Sequence, residues 1–164
     1  MKQLLIIRHA KSSWDIGILN DFDRTLNKRG LIDAPAMAQR LLDKNINIDL
    51  FVSSPANRAF TTACYFARAY KKREKEIVKI DELYHAIPLV FYETILKIDD
   101  AIESVAIFSH NPGITSFANL LTKTQIDDMP TCGIFAIEID TKCWKDFATA
   151  DKNFWFFDYP KLDN

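Results

Sequence analysis

A run of four aliphatic residues at positions 4–7 ends abruptly in Arg8 and His9. Such a short apolar run predicts a buried strand, and a buried strand that ends in charge must open into a polar site. In a parallel α/β sheet that site lies at the carboxyl edge of the strands, where ligands bind. Adjacent strand residues face opposite sides of a sheet, so the chain must leave strand geometry here for both side chains to serve one site. The alternative is an ordinary basic loop after a core strand.

Strand-like and helix-like segments alternate along the rest of the chain. Buried strands are predicted at 3–8, 49–53, 77–80, 104–108, 133–140 and 153–158, and helices at 28–45, 54–70, 88–98 and 113–122. Pro35 falls inside the first helical segment, so either the helix begins near Asp33 or the proline kinks a longer helix. Ser54 and Asn111 are the predicted N-caps of the second and fourth helices. The alternation predicts an α/β fold, a three-layer α/β/α sandwich with a mostly parallel central sheet.

Composition limits the ligands that overall electrostatics could attract. The 164 residues suit a single domain over 1–164, with 48% apolar and 26% charged residues. A formal net charge of −1 gives no reason to expect nucleic acid or a membrane as a partner, so an anion site must be a local concentration of positive charge. No apolar run is long enough to span a bilayer. Three cysteines without metal-ligand spacing favour reduced thiols and a cytoplasmic location, and the sequence leaves the oligomeric state open.

Polar residues follow three of the predicted strands directly. They occupy positions 8–9, 54–58 and 109–111. Parallel strands would gather Arg8, His9, Arg58 and His110 at one edge of the sheet, beside two helix N-termini that favour anions. Because guanidinium groups match phosphate oxygens through paired hydrogen bonds, this cluster predicts a pocket for a phosphoryl group.

The residue types in this cluster suggest a covalent mechanism. Histidine can attack phosphorus through a neutral ring nitrogen and form a phosphohistidine. We assign His9 as the nucleophile and expect a backbone carbonyl to hold its other ring nitrogen. Arg8, Arg58 and His110 would bind the phosphoryl oxygens and stabilise the transition state, and water would then hydrolyse the intermediate. This chemistry requires no metal and no cofactor, and the sequence offers no carboxylate cluster to hold a metal.

These features resemble the histidine phosphatase superfamily, also called phosphoglycerate-mutase-like, over nearly the whole chain. The shared motifs are residues 8–9 after the first strand, 53–55 with Arg58 after the second, and 109–111 after the fourth. The closer likeness is to the short SixA-type phosphohistidine phosphatases, in residues 8–12, 23–26, 29–30, 83–84 and 110–113. The resemblance implies a phosphoglycerate-mutase-like fold and a phosphatase that works through His9. It also implies that Arg24 reaches the mouth of the site and binds substrate.

Two further roles are less sharply defined by the sequence. Larger members of the superfamily protonate the leaving group with a carboxylate, and Glu82 is placed to do so here. A solvated charge after a strand explains Glu82 as well. Asp15 and Asp21 are weaker candidates, since both fit turn residues. Ser12 is a candidate substrate-binding residue because its backbone N–H lies close to the turn after the first strand, although it could simply face water.

Three functions remain open at this point. Residues 62–104 leave little chain for a covering segment, so an open site would accept a large substrate such as phosphohistidine in a protein. The second possibility is a small-molecule phosphatase for sugar or nucleotide phosphates, or a mutase, which would need a closed pocket to protect its phosphoenzyme from water. The third is a non-catalytic module that only binds phosphate.

Overall fold

The computed structural model describes residues 1–14 and 20–161, and six strands of that part form one mixed sheet. The strands are β1 (Lys2–Arg8), β2 (Leu50–Ser53), β3 (Val78–Lys79), β4 (Ser104–Ser109), β5 (Ile134–Ile139) and β6 (Lys152–Asp158). Their order across the sheet is β3-β2-β4-β1-β5-β6. The first four of these pair in parallel, whereas β5 runs antiparallel to both of its neighbours. The predicted α/β fold with a mostly parallel sheet is confirmed.

Helices cover both faces of the sheet. They are α1 (Lys28–Asp43), α2 (Asn57–Ala69), α3 (Pro88–Leu96) and α4 (Gly113–Leu121). Alternate residues of β1 divide between the faces, because successive strand side chains point in opposite directions. Leu5 and Ile7 pack in the core with α1 and α2, and Leu4 and Ile6 pack in the core with α3 and α4. The helix α1 runs through Pro35, which settles the alternative between a late start and a longer helix.

In residues 1–14 and 20–161, none of the helices combines the length and the apolar character needed to cross a membrane.

Two predicted helix caps are wrong. The helix α2 begins at Asn57 rather than beside Ser54, and α4 begins at Gly113 without a side-chain cap from Asn111. The Ser54 hydroxyl instead lies 2.7 Å from Nε2 of His110. The Ser54 side chain, which could have capped α2, therefore contacts His110 at the end of β4. The sequence around Ser54 gives no sign of this contact.

Two contacts fix the segment after β3 against the end of β4. The Ser109 hydroxyl donates a hydrogen bond to the carbonyl oxygen of Leu83, at 2.8 Å. A Cβ at Gly113 would collide with the carbonyl oxygen of Ala86, so only glycine allows the first turn of α4 to approach this closely. The approach holds residues 83–87 beside the polar residues that follow β4.

Candidate active site

The four residues expected to bind a phosphoryl group line one cavity of about 770 Å³. The strand β4 lies between β1 and β2, so the residues that follow these three strands meet at one edge of the sheet. Arg8, His9, Arg58 and His110 all line this active-site cavity. The two imidazole rings lie 5.2 Å apart, centre to centre. His9 and His110, which are far apart along the chain, are thus neighbours in the fold.

His9 is held in one tautomer. Its Nδ1 donates a hydrogen bond to the carbonyl oxygen of Ala10, at 2.8 Å, which is the backbone partner expected from the sequence. Since Nδ1 carries the proton, Nε2 keeps its lone pair. Burial lowers the pKa of His9 to about 3, and the charges of Arg58 and Arg8 act in the same direction. His9 is therefore neutral at neutral pH, with the lone pair of Nε2 available.

Thr62 joins the His9 loop to the helix that carries Arg58. Its hydroxyl accepts a hydrogen bond from the backbone N–H of Ala10, at 2.9 Å, and donates one to the carbonyl oxygen of Arg58, at 2.7 Å. Thr62 is fully buried. Sequence reasoning missed this residue; the only signal was a hydroxyl one helical turn after Arg58, which often bonds back to that carbonyl.

His110 is oriented by Ser54. The Ser54 hydroxyl already accepts a hydrogen bond from the backbone N–H of Ala56, at 3.2 Å, so its own proton can be donated to Nε2 of His110, 2.7 Å away. With Nε2 accepting, Nδ1 carries the ring proton. Burial lowers the pKa of His110 to about 2, and the neighbouring His9 lowers it further. His110 is therefore a neutral hydrogen-bond donor through Nδ1.

Three buried nitrogens of the cavity wall have no hydrogen-bond partner among residues 1–14 and 20–161. They are Nε of Arg8, Nε of Arg58 and Nδ1 of His110. A buried donor without a partner costs about 1–3 kcal/mol, so such groups are rare outside binding sites. All three belong to residues that line the same cavity as His9. Three residues that line this cavity therefore each have a hydrogen-bond donor that no described residue uses.

Asp21 lines the same cavity and binds two arginines. Its carboxylate accepts hydrogen bonds from Tyr84 at 2.6 Å and from Arg24 and Arg58 at 2.9 Å each. Burial alone would raise the pKa of Asp21, but the bonds from Tyr84, Arg24 and Arg58 hold it well below its usual range. The 5.2 Å between the rings of His9 and His110 leaves no room for this carboxylate between them. Asp21 is therefore ionised and lies to one side of the histidine pair.

Arg24 and Ser12 both line the cavity, and they bind each other. The Ser12 hydroxyl accepts a hydrogen bond from Nη2 of Arg24, and the carbonyl oxygen of Ser13 accepts one from Nε at 3.1 Å. The Arg24 guanidinium also stacks on Trp14, at 3.3 Å from the ring centre. Because its hydroxyl is engaged in this way, Ser12 positions the buried Arg24 side chain in the cavity wall.

Glu82 does not line the cavity, contrary to the expectation from the sequence. The single 3-10 turn over 81–83 leaves Glu82 exposed and buries Leu83, and the chain enters the cavity wall with Tyr84 and His85. Tyr84 was not singled out from the sequence as a site residue, although it belongs to a motif of the resemblance. Asp15 lies outside the described residues. Within the described residues no group of three or more His, Cys, Asp or Glu could hold a metal ion.

Comparison with known proteins places this geometry in context. Residues 4–84 match the sequence profile of the histidine phosphatase superfamily (branch 1). The fold matches the SixA protein of Agrobacterium tumefaciens with a TM-score of 0.82 and 26% identity, over 97% of this chain and 98% of that one. It matches the protein histidine phosphatase SixA in complex with tungstate with a TM-score of 0.80 and 20% identity, over 96% of both chains. An uncharacterized protein of Mycobacterium leprae is 30% identical over 146 residues, which cover 81% of this chain and 87% of that one.

Proposed function

The chain belongs to the histidine phosphatase superfamily, and we propose that it is a phosphatase of the SixA type that removes the phosphoryl group from phosphohistidine in a protein. The reaction passes through a covalent intermediate on His9. The observation that carries this proposal is the set of three unpartnered buried nitrogens, on Arg8, Arg58 and His110, in the cavity that also contains neutral His9. A phosphoryl group has enough oxygens to accept all three hydrogen bonds.

The proposed reaction has two steps. First, Nε2 of His9 attacks phosphorus, the bond between phosphorus and the substrate imidazole breaks, and the released imidazole takes a proton from solvent. Water then attacks the phosphorus on His9, the phosphorus–Nε2 bond breaks, and inorganic phosphate leaves with His9 neutral again. The nitrogens of Arg8, Arg58 and His110 donate to the phosphoryl oxygens in both steps. Neither step needs a metal, so hydrolysis should continue in the presence of EDTA.

The charge state of Asp21 supports a phosphohistidine substrate. Among the described residues that line the cavity, Asp21 is the one carboxyl group, and its lowered pKa keeps it ionised at neutral pH. An ionised carboxylate cannot protonate a leaving group. A sugar or serine alkoxide needs that proton far more than an imidazole does. The described part of the cavity therefore suits cleavage of a phosphorus–nitrogen bond better than cleavage of a phosphate ester.

The mouth of the cavity supports a macromolecular substrate. Trp14 and Ile87 line the cavity and are 77% and 61% exposed. Exposed aromatic and aliphatic side chains at the rim are surfaces that a partner protein can cover. The phosphorylated side chain of a protein could thus enter while the rest of that protein remains outside. A small phosphorylated metabolite would leave this rim uncovered.

The test compares substrates and traps the intermediate. The wild-type protein is incubated with a phosphohistidine protein, a sugar phosphate and p-nitrophenyl phosphate, and rates per enzyme are compared. The expected result is the highest kcat/KM for the phosphohistidine protein. Faster hydrolysis of the small substrates would favour a small-molecule phosphatase, and no turnover of any substrate would leave only a phosphate-binding module.

The trapping experiment isolates the role of His9. Radiolabelled substrate should leave an acid-labile, base-stable label on the wild-type protein and none on His9→Ala. His85→Ala is the matched control, because it removes the third histidine of the chain and should still take up label. Equal labelling of His9→Ala and the wild type would overturn the covalent mechanism.

A further inference from the structure

Asn111 follows β4 and lines the active-site cavity, but its side chain does not cap α4. Its amide reaches the segment that precedes β5 instead. Nδ2 of Asn111 donates hydrogen bonds to the carboxylate of Asp128, at 2.7 Å, and to the carbonyl oxygen of Met129, at 3.2 Å. Because β1 lies between β4 and β5, the residues after β4 and before β5 flank the end of the strand that carries Arg8.

Thr115 holds the other backbone polar group of Met129. Its hydroxyl accepts a hydrogen bond from the backbone N–H of Met129, at 3.0 Å, and donates one to Oδ1 of Asn111. The hydroxyl has a single proton, so this bond determines which end of the Asn111 amide is the oxygen. Nδ2 is then left to face Asp128 and Met129. Side chains at positions 111 and 115 therefore hold both the N–H and the carbonyl oxygen of Met129.

The carbonyl oxygen of Met129 also holds Arg8. It accepts a hydrogen bond from Nη1 of Arg8, at 2.8 Å. The Asp128 carboxylate lies 3.9 Å from the same nitrogen, which is too far for a hydrogen bond. Within residues 1–14 and 20–161, the bond to Met129 is the one hydrogen bond of the Arg8 side chain, and Nε is left unpartnered. The position of Arg8 therefore depends on the position of one carbonyl group.

The two arginines of the site are held in different ways. Arg58 has two hydrogen bonds to Asp21, one of them to an ionised carboxylate, whereas Arg8 has a neutral carbonyl in that place. Burial lowers the pKa of Arg8; the charge of Asp128 raises it, and the charge of Arg58 lowers it. Since an arginine stays charged in a protein, burial and the repulsion from Arg58 both favour movement of the guanidinium towards solvent. The bond to Met129 opposes that movement.

We propose that Asn111 is a positioning residue for Arg8. It fixes the carbonyl oxygen of Met129, which in turn fixes the guanidinium so that Nε stays available to a phosphoryl oxygen. Both amide hydrogens of Asn111 are used, at Asp128 and Met129, so Asn111 acts through Arg8 rather than by donating to the phosphoryl group. This inference rests on the proposed function and adds to it a residue that the reaction needs.

The experiment compares Asn111→Ala with Asn119→Ala. Asn119 is the matched control, because it lies in α4 and holds the N–H and the carbonyl oxygen of Ile126, at 2.9 Å each, without lining the active-site cavity. Both variants should have a lowered thermal unfolding midpoint. With p-nitrophenyl phosphate, Asn111→Ala should reduce kcat/KM about tenfold, as expected when a transition-state donor is displaced rather than removed. Asn119→Ala should leave kcat/KM within about twofold of the wild type.

A double-mutant cycle with Arg8→Ala separates positioning from direct contact with the substrate. If Asn111 acts through Arg8, the loss of kcat/KM caused by Asn111→Ala should fall from about tenfold to below about twofold once Arg8 is absent. Thr115→Val provides a second variant, because it removes the hydroxyl that binds Met129 and Thr115 does not line the cavity. It should reduce kcat/KM more than Asn119→Ala does, even if Asn111→Ala folds poorly.

Two results contradict the inference and leave the proposed function intact. Equal losses of kcat/KM in Asn111→Ala and Asn119→Ala would mean that Asn111 only stabilises the fold. A tenfold loss that persists in the Arg8→Ala background would mean that Asn111 contacts the substrate itself.

Failure of the proposed function gives a different result, namely a wild-type protein that hydrolyses none of the phosphorylated substrates. The same variants are then compared by their Kd for inorganic phosphate, measured by isothermal titration calorimetry. A Kd that rises in Asn111→Ala but not in Asn119→Ala supports the positioning of Arg8 by Asn111, and equal Kd values in the two variants contradict it.

Discussion

Asp21 accepts two hydrogen bonds from Arg58, one at its backbone carbonyl oxygen at 2.7 Å and one at its carboxylate at 2.9 Å. These bonds use both terminal nitrogens of the guanidinium and leave Nε unpartnered among the described residues. The contact thus fixes Arg58 with one donor still available for a phosphoryl oxygen. The Asp21 carboxylate also repels a dianion in the same cavity. Asp21 therefore improves the geometry of the site at the cost of anion affinity.

Asp21→Asn should strengthen anion binding and weaken catalysis. Removing a negative charge a few ångströms from the phosphoryl position should lower the inhibition constant for inorganic phosphate by about tenfold. Because Arg58 loses a charged partner and becomes less well oriented, kcat should fall. The measurement is phosphate inhibition and kcat with p-nitrophenyl phosphate. Asp23→Asn is the control, since Asp23 belongs to the same turn but does not line the cavity. An unchanged inhibition constant in Asp21→Asn would contradict this account.

Arg58→Ala should reduce turnover by roughly two to three orders of magnitude, as expected when one transition-state hydrogen-bond donor is lost. Arg58→Lys should not restore it, because lysine has no equivalent of Nε or of the two nitrogens that Asp21 binds. The measurement is kcat/KM with p-nitrophenyl phosphate, together with the thermal unfolding midpoint of each variant. A loss below about tenfold would mean that Arg58 does not contact the phosphoryl group.

The strands of the sheet and the residues that follow them could be predicted because short stretches of sequence mark both. These residues are Arg8, His9, Arg58 and His110. An apolar run that ends in Arg8-His9, and a second that ends before His110, each mark a strand end without any knowledge of the fold. Parallel pairing then determines that these ends meet, since β1 and β4 are direct neighbours. The residues that follow parallel strands are thus the part of a site that the sequence predicts best.

The remaining site residues depend on contacts that no local pattern encodes. Asp21 and Tyr84 meet across 63 positions of the chain, and Ser54 bonds to His110 rather than capping its own helix. Glu82 had the chemistry of an acid, but the turn that buries Leu83 leaves it outside the cavity. A polar residue after a strand therefore predicts where a site lies. The role of that residue depends on the distant residues that contact it, which the local sequence does not reveal.

The pH dependence of kcat/KM should reflect the lowered pKa of His9. This parameter reports ionisations of the free enzyme and free substrate. Because His9 has a pKa of about 3, it stays neutral through the range in which an ordinary histidine gains a proton. No enzyme-derived loss of activity is therefore expected between about pH 7 and pH 5. The pH profile of kcat/KM is measured with two substrates whose phosphoryl groups have different pKa values. A fall in kcat/KM that is caused by protonation of the substrate shifts between the two profiles, whereas one caused by the enzyme does not. A fixed limb near pH 6.5 would contradict a neutral, buried His9.

The same burial should make folding stability depend on pH. His9 and His110 have pKa values of about 3 and about 2 in the folded protein, whereas an unfolded histidine titrates near 6.5. Below about pH 6.5 the unfolded chain binds two protons that the folded chain does not, so the free energy of unfolding falls as the pH falls. The limiting slope is about 1.4 kcal/mol per pH unit for each histidine.

Urea unfolding between pH 6.5 and pH 5 tests this slope before most carboxylates begin to titrate. His110→Gln removes one of the two buried imidazoles and should reduce the slope by about half. The control is His85→Gln, which removes an exposed imidazole and should follow the wild-type slope. Identical slopes for His110→Gln and the wild type would show that His110 is not held neutral by burial.

Thr62→Val should lower kcat through the position of the nucleophile. The substitution keeps the shape of the side chain but removes the hydroxyl that joins the N–H of Ala10 to the carbonyl oxygen of Arg58. The buried N–H of Ala10 loses its partner, which should cost about 1–3 kcal/mol of stability. The carbonyl oxygen that orients His9 belongs to the same residue, so kcat should fall about tenfold with a smaller change in KM.

Thr62→Ser separates this effect from simple loss of packing. Serine keeps the hydroxyl and loses the methyl group, so it should restore most of kcat even where its thermal unfolding midpoint stays low. If Thr62→Ser and Thr62→Val instead lose kcat equally, the threonine acts through packing alone. The measurement is kcat with p-nitrophenyl phosphate, at a temperature where both variants are folded. We expect Thr62→Ser to recover kcat, because its hydroxyl can again bond to Ala10 and Arg58 and so hold His9 in line with phosphorus.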